Sequence, residues 1–133
     1  MSIIDSLLFK AHDCYFTVPL SEIAVCIQIN PNEVANQTST IPFENHLIPF
    51  IDLRKLFNLE KDDSNNMKAV VIHDHEREMA LLCDKIIGEH QAVLKPLGKS
   101  FNNQKYITAA SQMGDGGMAF MIDTNALFKM HSV

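Results

Sequence analysis

"IPFIDLRKLF" at residues 48–57 returns, altered but legible, as "MAFMIDTNALF" at residues 118–128. Ile51 answers to Ile122, Asp52 to Asp123, Leu56 to Leu127 and Phe57 to Phe128, all at an offset of 71 residues. Each copy opens with an apolar run of the kind a strand covered on both faces requires. The period then changes: in the first copy Leu53, Leu56 and Phe57 fall at helical spacing. The intervening Asp stands where its carboxylate can accept a bond from an unpaired first-turn N–H. Each copy therefore predicts a strand, a cap and a short helix.

Working outward, Cys14, Phe16, Val18 and Leu20 alternate along one strand face, and Ile23, Val25, Ile27 and Ile29 along another. Residues 30–40 read as a polar loop with room for a helical turn around Glu33. Residues 41–51 read as a hairpin with Glu44 and Asn45 at its tip. The hydrophilic run "EKDDSNNM" at 60–67 divides the chain into subdomains of about 5–60 and about 67–130. The second half repeats the grammar of the first. "AVVIHD" and "EMALLCDKII" flank the charged turn "HERE" and match "SLLFKA" and "CYFTVPLSEI" around "HD", at an offset of 63 (Ile23 to Ile86). "GEHQAVLKPLGKSFNNQKY" reads as extended chain with loops. "GDGG" at 114–117 is a hairpin turn, since glycine accepts positive φ without strain. The pattern predicts an all-β chain of two small barrels. Each would be stoppered by a Leu-Phe pair, with the sister barrel covering the outer apolar faces.

Length and composition fit one compact domain: 133 residues, 47% hydrophobic and 20% charged. The net charge of −5 argues against a nucleic-acid surface, which must displace counterions. No apolar run approaches a membrane span, and no signal peptide opens the chain, so the expected location is cytoplasmic. The three cysteines, Cys14, Cys26 and Cys83, lie in apolar runs and read as reduced thiols.

Candidate chemistry is sparse. His73 and His75 share a strand face beside Asp74 and Glu76, but a metal needs three or four convergent ligands, and the stretch reads as a solvated turn. Asp52 and Asp123 are accounted for as caps, with nothing to place them in a shared cleft. Lys95, Lys99 and Lys105 interleave with Phe101 and Tyr106 as a single-strand platform would, against the acidity of the whole. Met113, Met118 and Met121 gather around the last hairpin, either as core filling or as an adaptable contact surface. No nucleophile elbow or phosphate loop occurs, so no catalytic residue, cofactor or metal is expected.

At "ALLCDKIIGEHQAVLKPLGKSFNN" (80–103) the sequence resembles the CheW-like domain family, in the version found at the C-terminus of the chemotaxis histidine kinase CheA. "ITAASQMGDGGMAFMIDTNAL", "SIIDSLLFKAHDCYFTVPLSEI" and "LIPFIDLRKLFNL" carry the same likeness, which spans about residues 3–130. The resemblance implies two intertwined five-stranded SH3-like barrels with a hydrophobic groove between them. It implies a non-catalytic adaptor that pairs with CheW-type coupling proteins or CheA-type kinases and with the cytoplasmic signalling tips of chemoreceptors beneath their arrays. A free-standing CheW-type protein would share the fold. On that reading the groove falls to Leu20, Ile23, Val25, Ile27 and Ile86. The barrel-end contacts fall to Glu44, Asn45 and His46 and to Asp115, Gly116 and Gly117. Glu44 and Asn45 depart from the Arg-Gly usual at that tip.

Overall fold

The computed structural model describes residues 2–34, 39–60, 66–99 and 104–131. Five strands come from the first half: β1 (Ser2–Ala11), β2 (Cys14–Pro19), β3 (Ile23–Ile29), β4 (Thr40–Phe43) and β5 (His46–Asp52). Five more come from the second: β6 (Met67–Asp74), β7 (Arg77–Cys83), β8 (Lys85–Leu94), β9 (Ile107–Gln112) and β10 (Met118–Ile122). Among the described residues there are also three short α-helices: α1 (Pro31–Val34), α2 (Leu53–Leu56) and α3 (Thr124–Met130). The helical turn expected around Glu33 is α1.

Two five-stranded sheets result, ordered β8-β1-β2-β10-β9 and β3-β6-β7-β5-β4. The first closes into a barrel where Lys95 and Ala110 exchange backbone bonds of 2.8 and 3.0 Å. The two sheets are the SH3-like barrels of the expected fold.

The repeat seen in the sequence is a repeat of register. Phe50 faces Ala80 in a parallel β5–β7 pair, and Met121 faces Thr17 in a parallel β10–β2 pair. Phe50 and Met121 lie 71 residues apart, and Thr17 and Ala80 lie 63 apart, the two offsets that relate the sequence copies. Val71 faces Ala80 as Leu8 faces Thr17, and Val25 faces Val71 as Gly88 faces Leu8. Yet each sheet mixes the copies. The first takes its hairpin β1–β2 from the first half and β8–β10 from the second, and the other sheet does the reverse.

The expected division near 60–67, of which residues 61–65 lie outside the described residues, therefore marks the sequence repeat and not the boundary between sheets. The chain changes sheet at two other places, the 3-10 turn Leu20–Glu22 and Asp84. The segment "EMALLCDKII" spans the second of these places. At Asp84 the backbone turns to pair with Lys10, and 85–94 forms a ten-residue strand on β1, the extended part of the segment read as extended chain with loops.

Packing explains the exchange. Along β6 and β7, Ala69, Val71, Ala80 and Leu82 fill the second barrel together with Ile29, Ile41, Phe43 and Ile48. The alternate residues Val70, Ile72, Met79, Leu81 and Cys83 join Leu7, Phe9, Phe16 and Val18 of the first sheet in a shared cluster. These central strands are buried on both faces, which is why they carry no exposed alternation. Full burial of each such Val, Leu or Ile contributes about 1.5–3 kcal/mol.

The first barrel is lined differently. At the positions of Ala69, Ala80, Ile41 and Ile48 it carries Ser6, Thr17, Ser111 and Ala119, all buried. Ser6 Oγ donates to the His90 carbonyl at 2.7 Å, and His90 Nε2 lies 3.3 Å from Ser111 Oγ. The α2 and α3 segments contribute to the cluster between the sheets. Phe57, just after α2, stacks on Phe16 of the first sheet at 4.9 Å. Leu127 and Phe128 of α3 enter the shared cluster alongside β6 and β7 residues.

Candidate interaction surfaces

Hairpin tips are the first candidate. Glu44 and Asn45 join β4 to β5 with φ of 47° and 69°, the two positive values that a two-residue turn of the I′ type needs. Asn tolerates this conformation; Glu carries a Cβ penalty there. His46 fixes the tip, with Nδ1 3.1 Å from the Glu44 carbonyl and Nε2 3.1 Å from Glu78 Oε1 on β7. The tip between β9 and β10 stands 71 residues on, so Asp115, Gly116 and Gly117 take the places of Glu44, Asn45 and His46. There Gly116 adopts φ of 90°, and Asp115 Oδ1 accepts the Gly117 N–H at 2.8 Å. One tip belongs to each barrel, and both carry an exposed acid.

Next to each tip stands a residue that the sequence reading did not select as a pair. Leu47 is 67% exposed and Met118, its equivalent, 41% exposed. Extending the 71-residue offset by one position from the tips would have found them. Of the methionines around the last hairpin, Met121 is buried, Met113 half-buried and Met118 exposed, so only Met118 offers a free thioether surface.

The five groove residues do not share one face. A bulge between Ile23 and Val25 breaks the alternation of β3. Ile23 consequently packs, with Leu20 and Ile86, against the cluster shared by the sheets, while Ile27 packs into the second barrel. Val25 is left 39% exposed on a strand at the end of its sheet. Ile23 and Ile86 are repeat equivalents, each just past a point where the chain changes sheet. Leu20, Ile23 and Ile86 thus pack on the shared cluster, Leu20 and Ile23 by the first crossing and Ile86 by the second.

Polar contacts anchor both crossings. At the second, Arg54 and Asp84 form an ion pair with 8% and 6% of their side chains exposed. Nη2 and Oδ1 are 3.2 Å apart, without the alignment of a hydrogen bond, and Asp84 Oδ2 accepts the His12 N–H at 2.6 Å. At the first crossing Thr124 Oγ1 donates to Glu22 Oε1. Each contact joins the first turn of a helix to the crossover beside it. Burial pushes the Cys83 thiol up to about 12, with the Asp84 charge beside it adding to the effect. Burial also raises Cys26, and Cys14 is raised by burial and then by Asp13.

The remaining candidates have structural surroundings. Asp52 accepts the Arg54 N–H at 3.0 Å and Asp123 the Ala126 N–H at 3.1 Å, as caps do. His73 is exposed at the end of β6, and His75 sits in the turn at φ of 52°. Among the described residues, no three or more His, Cys, Asp or Glu are placed to hold a metal ion. Tyr106 packs against the shared cluster and its hydroxyl points to Met130 Sδ at 3.4 Å, so its ring is not a free stacking platform. Phe101 lies outside the described residues. No helix among the described residues is long and apolar enough to cross a membrane.

A family profile described as the CheW-like domain matches residues 5–132. This chain belongs to the CheW-like domain family. The chemotaxis protein CheA of Bacillus subtilis is 31% identical over 131 residues, which are 96% of this chain and 20% of that protein. The CheA of Borreliella burgdorferi is 28% identical over 132 residues, 96% of this chain and 15% of that one. The sensor histidine kinase CheAY of Helicobacter pylori is 23% identical over 134 residues, 98% and 17% of the two chains. The chain thus spans about a fifth or less of the length of these relatives. Among solved structures, the scaffolding protein TtCheW from Thermoanaerobacter tengcongensis superposes with a TM-score of 0.73 at 14% identity, covering 92% of this chain and 90% of that one. That likeness speaks to the CheW-like fold.

Proposed function

We propose that this CheW-like domain is a non-catalytic interaction module of bacterial chemotaxis, coupling chemoreceptor signalling tips and CheW-type partners to a CheA-type kinase on the cytoplasmic side of the receptor arrays. The observation that carries the reading is the duplicated barrel end. Two equivalent hairpin tips, Glu44–His46 and Asp115–Gly117, each set an acid beside an exposed apolar side chain, Leu47 or Met118. A rigid tip of this kind loses little entropy on docking, so a modest surface suffices. The crossings, with Leu20, Ile23 and Ile86, are the proposed seat of a receptor helix. Receptor state would pass to the kinase as a shift in domain packing, without chemistry in this chain.

A second reading is a free-standing coupling protein of the CheW type, which would share this fold. The gene sequence on either side of this segment separates the two.

Titration calorimetry with a CheW-type protein and with a receptor signalling-tip fragment tests the proposal. Binding of either is expected, and a folded chain that binds neither would defeat it. Glu44→Arg reverses one tip's charge at an exposed turn. It should change partner affinity while leaving the melting temperature within a few degrees. Loss of folding would instead make Glu44 structural.

A further inference from the structure

The tip between β9 and β10 carries the one Asp–Gly step of the chain, Asp115–Gly116, and no Asn–Gly step occurs in it. Both residues are exposed. Gly116 holds φ of 90°, and a Cβ placed on it would meet no atom within 4 Å, so the space around it is open. Asp115 Oδ1 accepts the Gly117 N–H at 2.8 Å, and a Cβ on Gly117 would lie 3.2 Å from that oxygen. The ring closed by this bond runs through Gly116, as in an Asx turn, and folds the carboxyl carbon back across the Gly116 nitrogen. The same N–H polarises the carboxyl group. The Gly116 N–H donates to the Met113 carbonyl at 3.0 Å, a surface bond that opens with the turn. The sister tip differs at both positions, with Glu44 at the place of Asp115 and Asn45 at that of Gly116. Glu would have to close a six-membered ring, and Asn45 brings a Cβ beside its nitrogen.

We propose that Asp115 is a site of spontaneous covalent modification, converted to isoaspartate in the folded chain. With the carboxyl protonated and the Gly116 N–H proton given up to solvent base, that nitrogen attacks Asp115 Cγ. An N–Cγ bond forms, one carboxyl oxygen leaves as water, and a five-membered succinimide closes. Water then adds to the main-chain carbonyl carbon of Asp115, and the bond from that carbon to the Gly116 nitrogen breaks. The chain now runs through Cβ and Cγ, and the former main-chain carbonyl becomes the free carboxylate. One water leaves and one enters, so the step needs no oxidant, reductant or second substrate. The product keeps its negative charge but adds a carbon to the main chain inside the tip. There the Met113 N–H donates to the Gly117 carbonyl at 2.7 Å, and the lengthened chain must repack across that bond. Exposed Met118 stands next to it. Any effect on a partner rests on the coupling function; the chemistry itself does not.

The experiment holds the intact chain at neutral pH in heavy-oxygen water, below its melting temperature, with circular dichroism showing that it stays folded. The peptide Gln-Met-Gly-Asp-Gly-Gly-Met, which has the same step without the fold, is treated alongside. Digestion at lysine in ordinary water then releases Tyr106–Lys129, in which Asp123 serves as an internal standard. Electron-transfer fragmentation locates isoaspartate and heavy oxygen along that segment. Both are expected to accumulate together at Asp115, in the folded chain as in the peptide, while Asp123 stays unlabelled. Asp115→Glu should lose the signal. Asp115→Asn should form isoaspartate severalfold faster, because ammonia is then the leaving group. Reaction in the peptide but not in the folded chain would overturn the proposal, as would equal labelling of Asp115 and Asp123 or a signal that persists in Asp115→Glu. No chemotaxis protein takes part, so failure here is distinguishable from failure of the coupling function.

Discussion

Arg54 and Asp84 show how one buried pair can hold a crossing in place. Arg54 sits in the first turn of α2, and Asp84 is the single residue between β7 and β8, so their contact pins a helix to the point where the chain changes sheet. Removing the guanidinium leaves a buried carboxylate with only the His12 N–H for company. Arg54→Ala should therefore cost about 3 kcal/mol in urea unfolding, well above a surface substitution. A loss under 1 kcal/mol would mean that water replaces the arginine at no penalty. Cys83, next in the chain, gives a pH signature. Its thiol keeps its proton up to about 12 in the folded chain but ionises near the ordinary value of 9.0 when unfolded. The unfolded state then binds fewer protons than the folded one between those values, so stability falls as pH rises through that window. By about pH 10 Cys83 alone should account for roughly 1 kcal/mol of loss. Urea midpoints at pH 8 and 10 should draw closer together in Cys83→Ala; an unchanged gap would refute the assignment.

Elements were legible wherever local chemistry alone decides them. Asp before Leu53 and before Thr124 announced both caps, and both accept the predicted first-turn N–H. Asp52→Ala and Asp123→Ala should each cost about 1 kcal/mol, measured by thermal unfolding, with Asn at either site recovering most of it. A cap that costs nothing would mean that its helix is held by Leu-Phe packing alone. The two hairpin tips were also readable, because Asn45 and "GDGG", set between apolar runs, are residue types that accept positive φ. What could not be read was β3 and β8. A bulge leaves no mark in the pattern of "IAVCIQI", so one apolar face was expected where the strand serves two clusters. Asp84 likewise gives no local sign that the chain turns there, since its partners His12 and Arg54 are distant in sequence. For the same reason the sequence put the groove candidates on one face although they pack on two clusters, whereas Glu44, Asn45, Asp115 and Gly116 sit in the β4–β5 and β9–β10 turns that local residue types announce.

At the scale of the molecule, the repeat announced two similar units but not that they exchange strands. Pattern records which faces are apolar, and an apolar face is satisfied equally by a neighbour from its own half or from the other. The exchange has a consequence for folding. Residues 1–60 hold two strands of the first sheet and three of the second, and the remainder holds the complement. Separated, each half leaves the edges of β1–β2 or β6–β7 unpaired and the cluster around Phe9, Phe16, Val70 and Leu81 exposed on one side. Chains of residues 1–60 and 61–133, produced apart, should each lack a cooperative thermal transition. Mixed at equal concentration, they should regain the strand signal in circular dichroism and a single melting step, because every long-range pairing then has its partner. The recovered transition should move to higher temperature with concentration, as a bimolecular assembly requires. A half that melts cooperatively by itself would show that one copy can close its own barrel, and that the exchange seen here is a choice among two packings, not the only way this sequence buries its central strands.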